Sequence, residues 1–152
     1  MKKFAAITCL TMALSFSARC EPAASTVPAA SEDKEPSLRA RVLEFSGGLC
    51  NEGFKVRDGF WSTRLDGGAP ARLAVNLFAG NRYWFCAAAP ERVSGMKITL
   101  FDPRGEEVKV SEHRGPGVAA AGMTAVATGR YVVQVESPGG AAEDICLVYL
   151  FK

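Results

Sequence analysis

The sequence predicts an all-β fold, a jelly-roll-like β-sandwich of about seven to eight mostly antiparallel strands preceded by one short N-terminal helix. Three observations carry that expectation. From Gly53 onward, short runs with two-residue apolar alternation are separated by turn signals, with no strong helical periodicity. Two of those runs, Tyr83 to Ala88 and Ile145 to Phe151, are apolar on both faces, as strands covered on both sides are. The breaks carry turn chemistry: Asp66-Gly67-Gly68-Ala69-Pro70, Gly80-Asn81, Asp102-Pro103-Arg104-Gly105, Thr128-Gly129-Arg130 and Ser137-Pro138-Gly139-Gly140.

Residues 1–20 have the parts of a secretory signal peptide. Lys2 and Lys3 form a basic start, and Phe4 to Phe16 is an apolar stretch too short to span a bilayer. Ala18-Arg19-Cys20 is an acceptable cleavage site, with cleavage after Ser17 as the alternative. Cys20 could instead carry a lipid anchor, although Ser17 and Arg19 stand where a lipobox has an aliphatic and a small residue. Residues 21–36 are a Pro/Ala-rich linker that cannot bury a core, leaving 37–152 as one β-sandwich domain. Removing Lys2, Lys3 and Arg19 from the 18 basic residues leaves 15 against 16 acidic ones, a net charge of about −1. That balance gives no reason to expect nucleic acid or an anionic membrane surface as partner; membrane attachment would follow only from lipidation of Cys20.

Leu38, Val42, Phe45 and Leu49 put one apolar stripe on a helix, with Ser37 as its N-cap and Gly47-Gly48 as its stop. A first strand through the same residues is the competing assignment. Phe54 to Leu65 reads as one long strand, or as a hairpin broken at Asp58-Gly59. Arg72 to Phe78 alternates Leu73, Val75 and Leu77 against polar or small positions. Gly80 to Ala89 follows as the central strand, with Tyr83, Phe85 and Ala87 on one face and Trp84, Cys86 and Ala88 on the other. Met96 to Phe101 and Glu107 to Val110 flank the Asp102 turn, and Ser111 to Gly117 reads as a polar loop. Val118 to Thr128, Tyr131 to Val135 and Ile145 to Phe151 complete the set. The final strand needs a cover for its second face, and the Leu38–Leu49 helix is the nearest element able to supply it.

Four segments in this order resemble the bacterial pre-peptidase C-terminal domain. They are Ala79-Gly80 to Phe85 (G-x-x-Y-x-F), Ile98 to Gly105 (ending D-x-x-G), Thr128-Gly129 to Val135 (G-x-Y-x-V-x-V) and Ile145 to Tyr149. The resemblance covers roughly Phe54 to Phe151. It implies a secreted, jelly-roll-like sandwich that is usually an accessory domain after a peptidase and carries no catalytic residues. This chain departs from the pattern in having no preceding peptidase, and in its cysteines and leading helix.

Cys50, Cys86 and Cys146 are the disulfide candidates in the domain, and spacing alone does not choose a pair. Zinc ranks well below a disulfide, because there is no C-x-x-C pair and His113 is the single histidine. His113 also has no nucleophile motif beside it. The acid pairs Glu106-Glu107 and Glu143-Asp144 point to opposite strand faces, and calcium at Asp102 and Glu106 lacks a repeated acidic spacing. No catalytic, cofactor or metal residues are therefore assigned. Trp61, beside a Gly-Phe turn, is the candidate ligand-stacking aromatic, whereas Trp84 is expected in the core. The expectation is an exported, non-catalytic module for binding or assembly, periplasmic or secreted, with an unidentified protein or carbohydrate ligand. A lipid-anchored envelope subunit is the alternative, and a small secreted hydrolase is disfavoured.

Overall fold

The structure, a computed structural model, describes residues 34–66, 68–138 and 142–152. The signal, most of the linker and Cys20 lie outside the described residues. One helix, α1 (Lys34–Asn51), precedes nine strands: β1 (Lys55–Val56), β2 (Trp61–Leu65), β3 (Ala71–Leu77), β4 (Arg82–Ala88), β5 (Lys97–Phe101), β6 (Ser111–Gly115), β7 (Val118–Thr124), β8 (Gly129–Glu136) and β9 (Glu143–Phe151). The count among the described residues exceeds the expected seven to eight because the Phe54–Leu65 run is split and a strand forms at Ser111. Glu107 to Val110, however, is not the expected strand and makes only an isolated bridge, Glu107 to Phe101. One sheet has the order β1-β9-β4-β7-β6, with β2 also on β9; the second has the order β3-β8-β5. Every strand pair is antiparallel.

The period-two pattern of β4 and β9 divides their side chains between two cores. Tyr83, Phe85 and Ala87 join Ile145 and Leu147 between the sheets, against Leu77, Ile98, Leu100, Tyr131, Val133 and Val135. Cys86, Ala88, Cys146, Val148 and Leu150 face outward, under Leu38 and Val42 of α1 and flanked by Phe45 and Leu49. The helix therefore covers the second face of β9, as its apolar stripe requires.

Two helix boundaries differ from the expected ones. α1 starts at Lys34, three residues before Ser37, with Pro36 in a first turn whose N–H groups have no intrahelical acceptor, so the missing proline N–H costs the helix no bond. It also runs through Gly47-Gly48. The glycine required to end it is Gly53, at φ +89°, where the N–H groups of Glu52, Gly53 and Phe54 donate back to Leu49 and Cys50 carbonyls.

β1 and β2 run along one edge of β9, interrupted at Asp58-Gly59; Lys55 lies opposite Phe151 and Trp61 opposite Leu147. The Phe54–Leu65 stretch is thus a broken edge strand rather than a hairpin. Ser111–Gly115 is likewise an edge strand, paired to β7 with His113 opposite Ala120. Its near-complete exposure explains why it carries no apolar alternation.

The Asp102 turn forms as expected, with the Gly105 N–H donating to the Asp102 carbonyl at 2.9 Å. The Asp102 carboxylate accepts the backbone N–H groups of Arg104 at 2.8 Å and Glu106 at 2.9 Å, and pairs with the Arg104 guanidinium at 3.1 Å. Led by the Glu106 N–H, these donors hold its pKa below the usual carboxylate range. A depressed folded pKa stabilises the fold above the unfolded value of about 3.9, and that contribution is lost as pH falls through the folded value. In acid titrations, the stability advantage of the wild type over Asp102→Asn is expected to be constant near neutrality and to close below about pH 4. A gap independent of pH would show that the carboxylate charge adds nothing to the turn.

Candidate functional site

At one end of the sandwich, the β3–β4 and β7–β8 turns are tied into a single unit. The Gly80 N–H donates to the Ala125 carbonyl at 2.8 Å, and the Ala125 N–H donates to the Asn81 carbonyl at 3.0 Å. The Ala79 N–H reaches Thr128 Oγ1 at 3.0 Å. Two buried tyrosines brace the turns from below: Tyr83 Oη accepts the Phe78 N–H at 3.0 Å, and Tyr131 Oη donates to the Ala127 carbonyl at 2.9 Å. Gly80, at φ +85°, allows the reversal. On this braced platform Phe78 is 59% exposed and Val126 is 84% exposed. Folding gains little from either side chain in that position.

Beside this tip, on the outer face of the six-stranded sheet, lies a groove of about 320 Å³. Its lining includes Arg82, Trp84, Lys109, Ser111, Gly122 and Thr124, and contains no acidic residue. Trp84, Gly122 and Ser111 stand in one cross-strand row. An added Cβ at Gly122 would lie 2.5 Å from Trp84 Cε2, so the indole sits directly against the glycine backbone. Trp84 is half-buried, and packs against the helix-side core while lining the groove. The expected core residue is also a wall of the groove. The Arg82 guanidinium is held over the Phe54 ring, 5.4 Å from its centroid.

Trp61 takes a different position. It is half-buried at the start of β2, packed against the inter-sheet core on the same side as Leu65. Cys86 and Cys146 share the helix-covered face, but no disulfide joins any two of Cys50, Cys86 and Cys146. Cys86 stands opposite Val148 and Cys146 opposite Ala88, so the two are diagonal neighbours. Diagonal positions lie about 7–8 Å apart, beyond the reach of an unstrained disulfide. Burial, with a smaller contribution from Cys50, pushes the Cys86 thiol up to about 12, which keeps it protonated and unreactive. Cys50 is exposed in the last turn of α1.

His113 is exposed on β6, its ring 5.3 Å from that of Phe45. Of the acid pairs, Glu143 is buried against Arg92, with Oε2 accepting from Nη2 at 2.6 Å, while Asp144 lies 3.8 Å from Arg64. Glu106 pairs with Arg104 at 2.9 Å, and Glu107 bridges to Phe101. Neither acid pair converges on the groove. Among the described residues, no three or more His, Cys, Asp and Glu side chains gather where they could hold a metal ion. No helix among them is long and apolar enough to cross a membrane.

No family model matches the chain, and no curated protein does. Among solved structures it is similar to the crystal structure of Aeromonas hydrophila PliG, a periplasmic lysozyme inhibitor of g-type lysozyme. The identity is 14%, the match covers 66% of this chain and 90% of that one, and the TM-score is 0.49. A likeness at that level carries no argument about what this chain binds.

Proposed function

We propose that this protein is an exported, non-catalytic binding module that contacts a protein partner through the Phe78–Val126 tip. The observation that carries this reading is the pair of hydrogen-bonded turns that hold two large apolar side chains in solvent. Such a surface is pre-organised, so little conformational entropy remains to be lost when a partner covers it. Large exposed apolar side chains on a rigid support are also what the centre of an interface needs. Export rests on the basic and apolar segments of residues 1–20, and places the partner in the periplasm or outside the cell.

The test is affinity capture from periplasmic and secreted fractions, followed by titration of the captured protein. Phe78→Asp combined with Val126→Asp is expected to weaken binding by about tenfold or more. Thermal stability should hardly change, since surface substitutions usually stay within about 0.5 kcal/mol. Undiminished binding by the double variant, or no protein captured by the wild type, would refute the tip as the contact surface.

A further inference from the structure

The geometry points to a second binding site, the Trp84 groove, for an anionic saccharide whose sugar ring stacks on the indole while its carboxylate meets Arg82 and Lys109. This goes beyond the partner contact at the tip and does not rest on it. The first support is size. A groove of about 320 Å³ is at the small end of the range for small-molecule sites, room for one or two sugar rings.

The second is the indole itself. Gly122 lets the ring lie against the sheet, where any larger residue would force it away. The ring's π face is electron-rich and attracts the C–H face of a pyranose. Ser111 and Thr124 add hydroxyls able to donate to, and accept from, sugar hydroxyls.

The third is charge. Arg82 and Lys109 line the groove with no acid among the lining residues, in a chain whose domain is close to neutral. The Arg82 guanidinium rests over Phe54, which is not one of the lining residues, so it would turn from that ring to meet a ligand carboxylate. Guanidinium and ammonium donors give stronger hydrogen bonds to a carboxylate than to a neutral hydroxyl.

The sheet beneath also argues against an extended acidic peptide. β4 is paired on both edges, to β7 and β9, and β7 is paired to β4 and β6. The β4 and β7 part of the floor therefore offers no open backbone row for a peptide to join as an added strand; the open edge nearest the groove belongs to β6.

Trigalacturonate is the probe, titrated into the purified protein while the two tryptophan indole N–H resonances are followed by NMR. The resonance that vanishes in Trp84→Phe identifies Trp84. A saturable shift of that resonance is expected, weakened about threefold or more by Arg82→Gln or Lys109→Gln. The affinity should also fall between about 50 mM and about 500 mM salt, as exposed charge contacts do. No saturable shift at Trp84 would overturn the assignment. Equal affinity for the neutral trisaccharide maltotriose would overturn its anionic part. Tighter binding of a glutamate tripeptide would overturn the saccharide in favour of a peptide.

Discussion

Replacing Phe85 with alanine is expected to cost about 3–5 kcal/mol, a large part of the roughly 5–15 kcal/mol that holds a domain of this size together. Phe85 has no exposed surface, and its ring stacks on Tyr149 at a centroid distance of 5.4 Å. It sits in the middle of β4, opposite Ala121 on one side and Tyr149 on the other. Both neighbouring strands are fixed by their own pairing, so they cannot easily collapse into the space left by the ring. Small residues already surround it, including Ala87, Ala119 and Ala121, none of which can extend to fill the hole. Urea unfolding would show the loss as a lower midpoint at nearly unchanged slope. A loss below about 0.5 kcal/mol, typical of surface positions, would remove Phe85 from the centre of the core.

The central place of Phe85 is legible in the sequence, and the reason is physical. A strand buried on both faces has no polar positions to spare. The alternation of Tyr83, Phe85 and Ala87 against Trp84, Cys86 and Ala88 therefore assigns both faces from residue order alone. The same logic finds β9 and its helical cover. Edge elements are harder to see. Ser111–Gly115 is solvated along nearly its whole length, so its sequence lacks the periodic signal that burial imposes, and His113 reads as a loop residue. Gly47-Gly48 misplaces the end of α1 because glycine ends a helix only where a positive φ is needed, and that position falls at Gly53. The groove is the least visible feature. Its members are scattered over β4, β7 and the approach to β6, and only the register Trp84–Gly122–Ser111 brings them together. Gly122 within an apolar run is the one signal available, since a glycine inside a strand often marks a close approach by another group.

Gly122→Ala is expected to destabilise the protein by about 1–3 kcal/mol, the usual range for overpacking. The new methyl group would lie within 2.5–2.7 Å of three indole atoms of Trp84, closer than carbon atoms approach without bonding. Gly122 has an ordinary strand conformation, not one of the positive-φ positions, so backbone strain adds nothing and the loss of unfolded-chain entropy works against the clash. Gly122 is held in register by Trp84 on one side and Ser111 on the other, so the sheet has little freedom to move away. The indole must swing off the sheet. It would then give up its contacts with the helix-side core, and the groove would lose its wall. A double-mutant cycle checks the cause. If the clash is with the ring, Gly122→Ala in a Trp84→Leu background should cost much less than in the wild type. Equal costs in the two backgrounds would mean that the methyl group is opposed by something other than Trp84. A cost that depends on the ring would also separate the two proposed sites. Gly122→Ala should abolish the Trp84 response to trigalacturonate while leaving partner binding at Phe78 and Val126 intact, because the tip is braced by Tyr83 and Tyr131 rather than by the indole.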